Sequence, residues 1–270
     1  MIKAYLLGLS LLLLNTSCGQ TPTAVKPEAS QTFSLTGIPE GTRWPCQDYI
    51  HGYNSSEMSC LRLPEAGNGH PSVDVLIAYP DFTPAQRAKI QDAVREFGQQ
   101  WEQMRAEAAA PNESSLGKCI EASASRELFA VASTWPEIAR NTPAAIAWAI
   151  LNVQYMFEHH ANTRTILTVS PIDRSGIMGM TNLGSDTANS ENGNIMLGLP
   201  SLNNSSFTGL SFSGTLLHEW LHRKGYTHPL TGYKDPDFTS TLIVAAGQCM
   251  RNRSNSYAFS LFDNSNIEYE

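Results

Sequence analysis

The chain has 270 residues, 18 basic and 25 acidic side chains, a formal charge of −7, and 41% hydrophobic against 16% charged residues. That balance leaves no basic footprint for nucleic acid and no polybasic patch for a membrane surface. Length and apolar content suffice for one globular domain with a sizeable core, and no internal repeat divides it.

Residues 1–18 carry Lys3, an apolar run from Ala4 to Leu14 and small polar residues before Cys18. The run is too short and wrongly flanked for a spanning helix and reads as an export signal. Asn15-Thr16-Ser17-Cys18-Gly19 resembles a bacterial lipoprotein cleavage box, with Asn15 where an aliphatic residue is usual. The resemblance implies lipid attachment at Cys18 as the one link to a membrane. Gly19 in place of an aspartate then fits sorting to the outer membrane of a Gram-negative envelope, with secretion or periplasmic release as the alternative. Gly19 to about Thr36 is rich in Pro, Thr, Ala, Ser and Gln and reads as a flexible tether, which leaves 37–270 for the folded domain.

Without Cys18 the chain holds Cys46, Cys60, Cys119 and Cys249, an even number that favours two disulfides in an exported protein. Three pairings are possible. Cys46 with Cys60, a short local loop, and Cys119 with Cys249 are preferred. A four-cysteine metal site is the rival, disfavoured by the lack of a CxxC pair.

Val73 to Tyr79 is β-branched and apolar and reads as a strand; Thr83-Pro84 then supplies an N-cap and a first-turn proline. Ile90, Val94, Phe97, Trp101 and Met104 recur at three- and four-residue steps, which predicts an amphipathic helix from Pro84 to about Ala108. Ile146, Ile150, Val153 and Phe157 predict a second helix from about Thr142 to His160, with His159 and His160 favoured at its C-terminal end by the helix dipole. Thr165 to Val169 reads as a buried strand. In the long polar stretch from Arg174 to Gly193, Asp186, Asn189, Glu191 and Asn192 form an oxygen-rich loop of the kind that can hold Ca2+, although it lacks the alternation of an EF-hand. Asn194 to Leu199 reads as a further strand. The pattern predicts a mixed α+β fold, with strands and helices around one sheet.

The most specific segment follows. His218-Glu219-Trp220-Leu221-His222-Arg223-Lys224-Gly225-Tyr226-Thr227-His228 reads HExxHxxGxxH. Average residue usage would produce it by accident in on the order of one in 10⁵ chains of this length. On a helix, positions i and i+4 share a face, so His218 and His222 can aim at one cation, with Ser213 as a plausible N-cap. Gly225 falls where helices commonly stop, because glycine enters the left-handed conformation without steric cost. The reversal lets His228 approach as a third ligand. Three neutral imidazoles with an open fourth position are the donor set of a catalytic rather than a structural Zn2+ site. Glu219 points to a neighbouring sector of the helix, poorly placed to ligate and well placed to take a proton from a water.

His218, Glu219, His222, Gly225 and His228 resemble the signature of the metzincin clan of zinc endopeptidases. The resemblance implies a metzincin-like catalytic domain with a small mixed sheet, two long helices and an active-site helix, acting on a peptide or protein substrate. It also implies that the substrate lies along an edge strand just upstream of the motif helix, where Asn194 to Leu199 is the segment that fits. It further implies a methionine in a tight turn beneath the metal; Met250 is the sole methionine after the motif. Asp235-Pro236 reads as a helix start, so Met250 is equally a core methionine at the end of a helix running from Phe238 to about Gln248. Tyr226, Tyr233 and Tyr257 are candidates for a phenol near the site. Two other functions fit the same residues: a non-catalytic, zinc-stabilised surface binding lipoprotein, and a zinc hydrolase of a non-peptide amide.

Overall fold

Alternating apolar side chains build the first two strands, β1 (Met58–Leu63) and β2 (Val73–Ala78), which pair antiparallel with Leu61 opposite Val75 and Leu63 opposite Val73. The computed structural model describes residues 55–63, 72–107, 111–124, 142–163, 165–181, 192–228 and 238–251, all within the unit Thr32–Glu270. The signal, Cys18, the tether, Cys46, Tyr233, Tyr257 and the candidate calcium residues Asp186, Asn189 and Glu191 lie outside the described residues.

Helix α1 (Pro84–Glu107) starts as the Thr83-Pro84 pair predicts. The Gln86 amide N–H donates to Thr83 Oγ1 at 3.4 Å and the Thr83 N–H to Gln86 Oε1 at 2.9 Å, a reciprocal cap that satisfies two otherwise orphaned donors. Helices α2 (Ser115–Ser123) and α3 (Thr142–Thr163) follow. Then come β3 (Leu167–Ile172), β4 (Gly179–Met180), β5 (Ile195–Gly198), α4 (Leu199–Asn203), α5 (Gly209–Arg223) and α6 (Leu242–Arg251). Among the described residues the fold is therefore mixed α+β, with one five-stranded sheet in the order β1-β2-β3-β5-β4. β2, β3 and β5 run parallel, and β1 and β4 close the two sides antiparallel.

One expectation is corrected by this order. The segment predicted as an edge strand, Asn194 to Leu199, forms β5 inside the sheet, because Gly179 and Met180 pair with Leu197 and Met196 on its outer side. Periodicity marks a strand but carries no information about its neighbours. The strand predicted at 165–169 runs instead from Leu167 to Ile172.

Strand side chains alternate between two environments. Val73, Val75, Ile77, Leu167, Val169, Ile195 and Leu197 join the helices in the main core, whereas Met58, Leu76 and Ala78 form a small second cluster on the opposite face. At the centre of the main core four rings from three helices meet. Trp220 of α5 lies edge-on to Phe97 of α1 and to Phe157 of α3, each with centroids 4.9 Å away, and Trp101 stacks on Phe97 at 5.2 Å. The Trp101 indole N–H donates to Gln154 Oε1 at 3.1 Å, so its polar end is satisfied inside the core.

Cys119 of α2 and Cys249 of α6 form a disulfide that closes a span of 130 residues, as the preferred pairing predicts, and Cys60 is also disulfide-bonded. No helix among the described residues is long and apolar enough to cross a membrane. Replacing Cys119 and Cys249 together with alanine is expected to cost about 2–5 kcal/mol of unfolding free energy, because the unfolded chain regains the loop entropy. Urea unfolding of the double variant beside the parent chain measures it.

Candidate metal centre

Thr208 accepts a hydrogen bond from the Ser211 N–H, and Ser211 Oγ accepts one from the Thr208 N–H, so α5 begins in a reciprocal cap one turn before the predicted Ser213. Ser213 lies inside the helix, buried, with its hydroxyl on the Leu210 carbonyl, the back-bond open to a helical serine. Every residue from Phe212 to Arg223 is buried, so the motif helix presents no solvated face. α6 crosses it closely at Gly214 and Gly247; a Cβ on Gly214 would lie 2.2 Å from the Gly247 carbonyl oxygen.

Burying Trp220 sets the rotation of the helix and therefore where its neighbours point. His218 and Glu219 are 0% exposed and His222 is 6% exposed. The helix ends as its glycine predicts. Gly225 has φ of 94°, its N–H donates to the His222 carbonyl at 2.9 Å, and the Tyr226 N–H donates to the Leu221 carbonyl at 3.1 Å. Those two bonds make the paired closure of a left-handed helix stop. The reversed chain then brings His228 back beside the other two histidines, with ring centroids 5.4 Å from His218 and 5.0 Å from His222.

One ring nitrogen of each histidine lies within 4.8 Å of the others. His218 Nε2 and His222 Nε2 are 3.0 Å apart. Nitrogens bound tetrahedrally to one zinc sit about 3.3 Å apart, so the His218–His222 pair has the spacing to share a cation, and His228 stands within the wider limit of 4.8 Å. The donor chemistry fits as well. His222 Nδ1 donates to the Tyr226 carbonyl at 2.8 Å, which leaves the Nε2 lone pair facing the cluster. Phe238 packs edge-on to His228 at 4.8 Å and backs the third ring.

Burial first, and then the neighbouring imidazoles, hold His218 well below its ordinary value of 6.5; the same causes lower His222 to about 3. Neutral rings are the ligating form. Burial pushes Glu219 the other way, well above the usual carboxylate value of 4.5, and neither of its oxygens has a hydrogen-bond partner among the described residues. The carboxylate rests against β4, where a Cβ on Gly179 would lie 2.7 Å from Glu219 Oε1.

Several candidates fall elsewhere. Met250 is buried within α6, so the tight-turn expectation is corrected: Leu242 to Arg251 continues as helix through it, and the methionine is core. The Tyr226 phenol is buried and meets Asn152 of α3. His160 accepts the Gly193 N–H at Nε2 and donates from Nδ1 to Thr165 Oγ1, a structural role at the predicted helix end. Of the candidate calcium residues only Asn192 is described: its carbonyl accepts from the Arg223 guanidinium at 2.6 Å and its Oδ1 from the Asn194 N–H. Sequence reasoning missed Thr208, whose Thr-x-x-Ser spacing was a readable cap signal, and Gly179, whose partner is 40 positions away and left no local trace.

Acid and base should each destabilise the metal-free protein, through different groups. Below 6.5 the unfolded chain binds protons that folded His218 and His222 refuse, so stability falls as pH drops toward about 3. Folded Glu219 keeps its proton above 4.5, so its contribution is present at low pH and is lost as pH rises through its elevated value. Glu219→Gln is therefore expected to raise stability on the alkaline side and leave the acid limb unchanged, read by denaturant melts in EDTA from about pH 4 to pH 9.

Compared with known proteins, the chain matches no family model, no curated protein and no solved structure.

Proposed function

We propose that the chain is an exported zinc-dependent endopeptidase of metzincin-like fold, held in a bacterial cell envelope by a lipid on Cys18. The observation that carries this reading is Glu219: a fully buried carboxylate with no hydrogen-bond partner among the described residues, on the same helix turn as two neutral, convergent imidazoles. Such a group costs stability and returns no structural bond, so its use lies in chemistry. His218, His222 and His228 would hold the zinc. Bound there, zinc would supply Lewis-acid polarisation of the scissile carbonyl and lower the pKa of a water so that it can lose a proton and act as the nucleophile.

The remaining work belongs to the chain. A cation's charge on the three histidines would offset the burial that favours protonated Glu219, and the ionised carboxylate would accept a proton from the attacking water and pass it to the leaving amine. The Tyr226 carbonyl keeps the His222 tautomer fixed, and Phe238 restrains His228. Among the described residues β5 is enclosed and β4 is the outer strand beside Glu219, where Gly179 packs against the carboxylate and a substrate strand could add.

The complete burial of Glu219 and His218 favours one other reading, a binding lipoprotein whose zinc is structural. Cleavage of a mixed peptide library by the zinc-loaded chain, beside Glu219→Ala at equal zinc content, separates the two. The peptidase reading expects turnover that falls by about 10²–10⁴-fold in the variant, the usual share of a positioned proton acceptor. No cleavage by either protein, with zinc bound in both, overturns it.

A further inference from the structure

We infer that Gly179 is a positioning residue for Glu219, its missing side chain being the space in which the carboxylate is held. This rests on the peptidase reading for its catalytic consequence, though not for its geometry. A buried carboxylate is usually aimed by hydrogen bonds, but neither Glu219 oxygen has a partner among the described residues, so packing alone aims it. The packing has two sides. Thr215 lies four residues earlier on α5, on the same helix face as Glu219, and Gly179 lies across from both on β4.

A Cβ built on Gly179 would meet Thr215 Cγ2 at 2.6 Å, Glu219 Oε1 at 2.7 Å and Glu219 Cγ at 2.9 Å. Carbon contacts are comfortable at about 3.5–4.0 Å, so a methyl there displaces its neighbours by roughly 0.5–1 Å. The backbone is poorly free to retreat instead. β4 is paired with β5 through Gly179 opposite Leu197 and Met180 opposite Met196. The Gly198 N–H donates to the Met178 carbonyl at 3.0 Å, and the Ser201 hydroxyl to the Ile177 carbonyl at 2.7 Å. On the far side Thr215 Oγ1 is engaged by Arg251 Nη2 at 3.3 Å. The carboxylate is the part that yields, and a proton acceptor moved by that distance loses its alignment with the water.

Gly179→Ala in the zinc-loaded full chain is expected to lower kcat by about 10–100-fold, the scale of an ångström misplacement, with KM and zinc content within about twofold. Adding Thr215→Ser removes the methyl on one side and keeps the hydroxyl for Arg251, so the methyl introduced at position 179 gains room away from Glu219 and kcat recovers severalfold relative to Gly179→Ala. A kcat for Gly179→Ala within twofold of the parent overturns the inference. So does a loss of kcat that tracks loss of zinc. A parent chain without any hydrolysis sinks the peptidase reading and leaves the steric claim to a melting cycle. In the Thr215→Ser background, Gly179→Ala must lower Tm with Glu219 present and much less with Glu219→Ala. Equal drops overturn it.

Discussion

The helix stop at Gly225 is the constraint on which the candidate centre depends. A left-handed residue with φ of 94° does two things within one turn of chain. It points the Tyr226 carbonyl back at His222 Nδ1, which settles the tautomer of one imidazole. It also reverses the path so that His228 joins His218 and His222 rather than continuing away along the helix. Any residue with a Cβ at 225 would strain that conformation and loosen two of the three histidines together.

The surroundings hold α5 by contacts that are mostly remote in sequence. Trp220 packs edge-on to Phe97 and Phe157, and its indole N–H donates to the Gly193 carbonyl at 3.0 Å. Arg223 takes the neighbouring Asn192 carbonyl, and the Thr168 N–H donates to Asn194 Oδ1. Three successive residues entering β5 are thereby tied to α5, α3 and β3. The rotation of the motif helix and the placement of the central sheet are consequently one packing problem, and that packing fully buries His218 and Glu219.

Local signals were legible and distant ones were not. The long helices could be read from three- and four-residue spacing, and Thr83-Pro84 and Gly225 from caps that act within a turn. The three histidines could be grouped because one helix turn and one reversal suffice to bring them together. Strand order could not be read, since it rests on Gly179 and Met180 finding Leu197 and Met196 across an intervening loop. β1 and α2 were missed for a related reason: Met58–Leu63 and Ser115–Ser123 are short and make sense only against β2 and α6. Of the two readings open for Met250, the core methionine near a helix end is the one found, because the apolar run from Leu242 to Ala246 carries the helix through it.

The size of the core sets the order in which such a centre can assemble. A helix of 15 residues is marginal in water by itself, so His218 and His222 are not prealigned in the unfolded chain. In the fold they are aligned because Trp220, Leu217 and Leu221 share one core with α1, α3 and the sheet. A cation taken up there would be a late guest in a finished cavity rather than the nucleus that folds the chain, unlike the metal of a small finger domain. It would add stability in proportion to its free concentration, and its departure would leave the architecture standing.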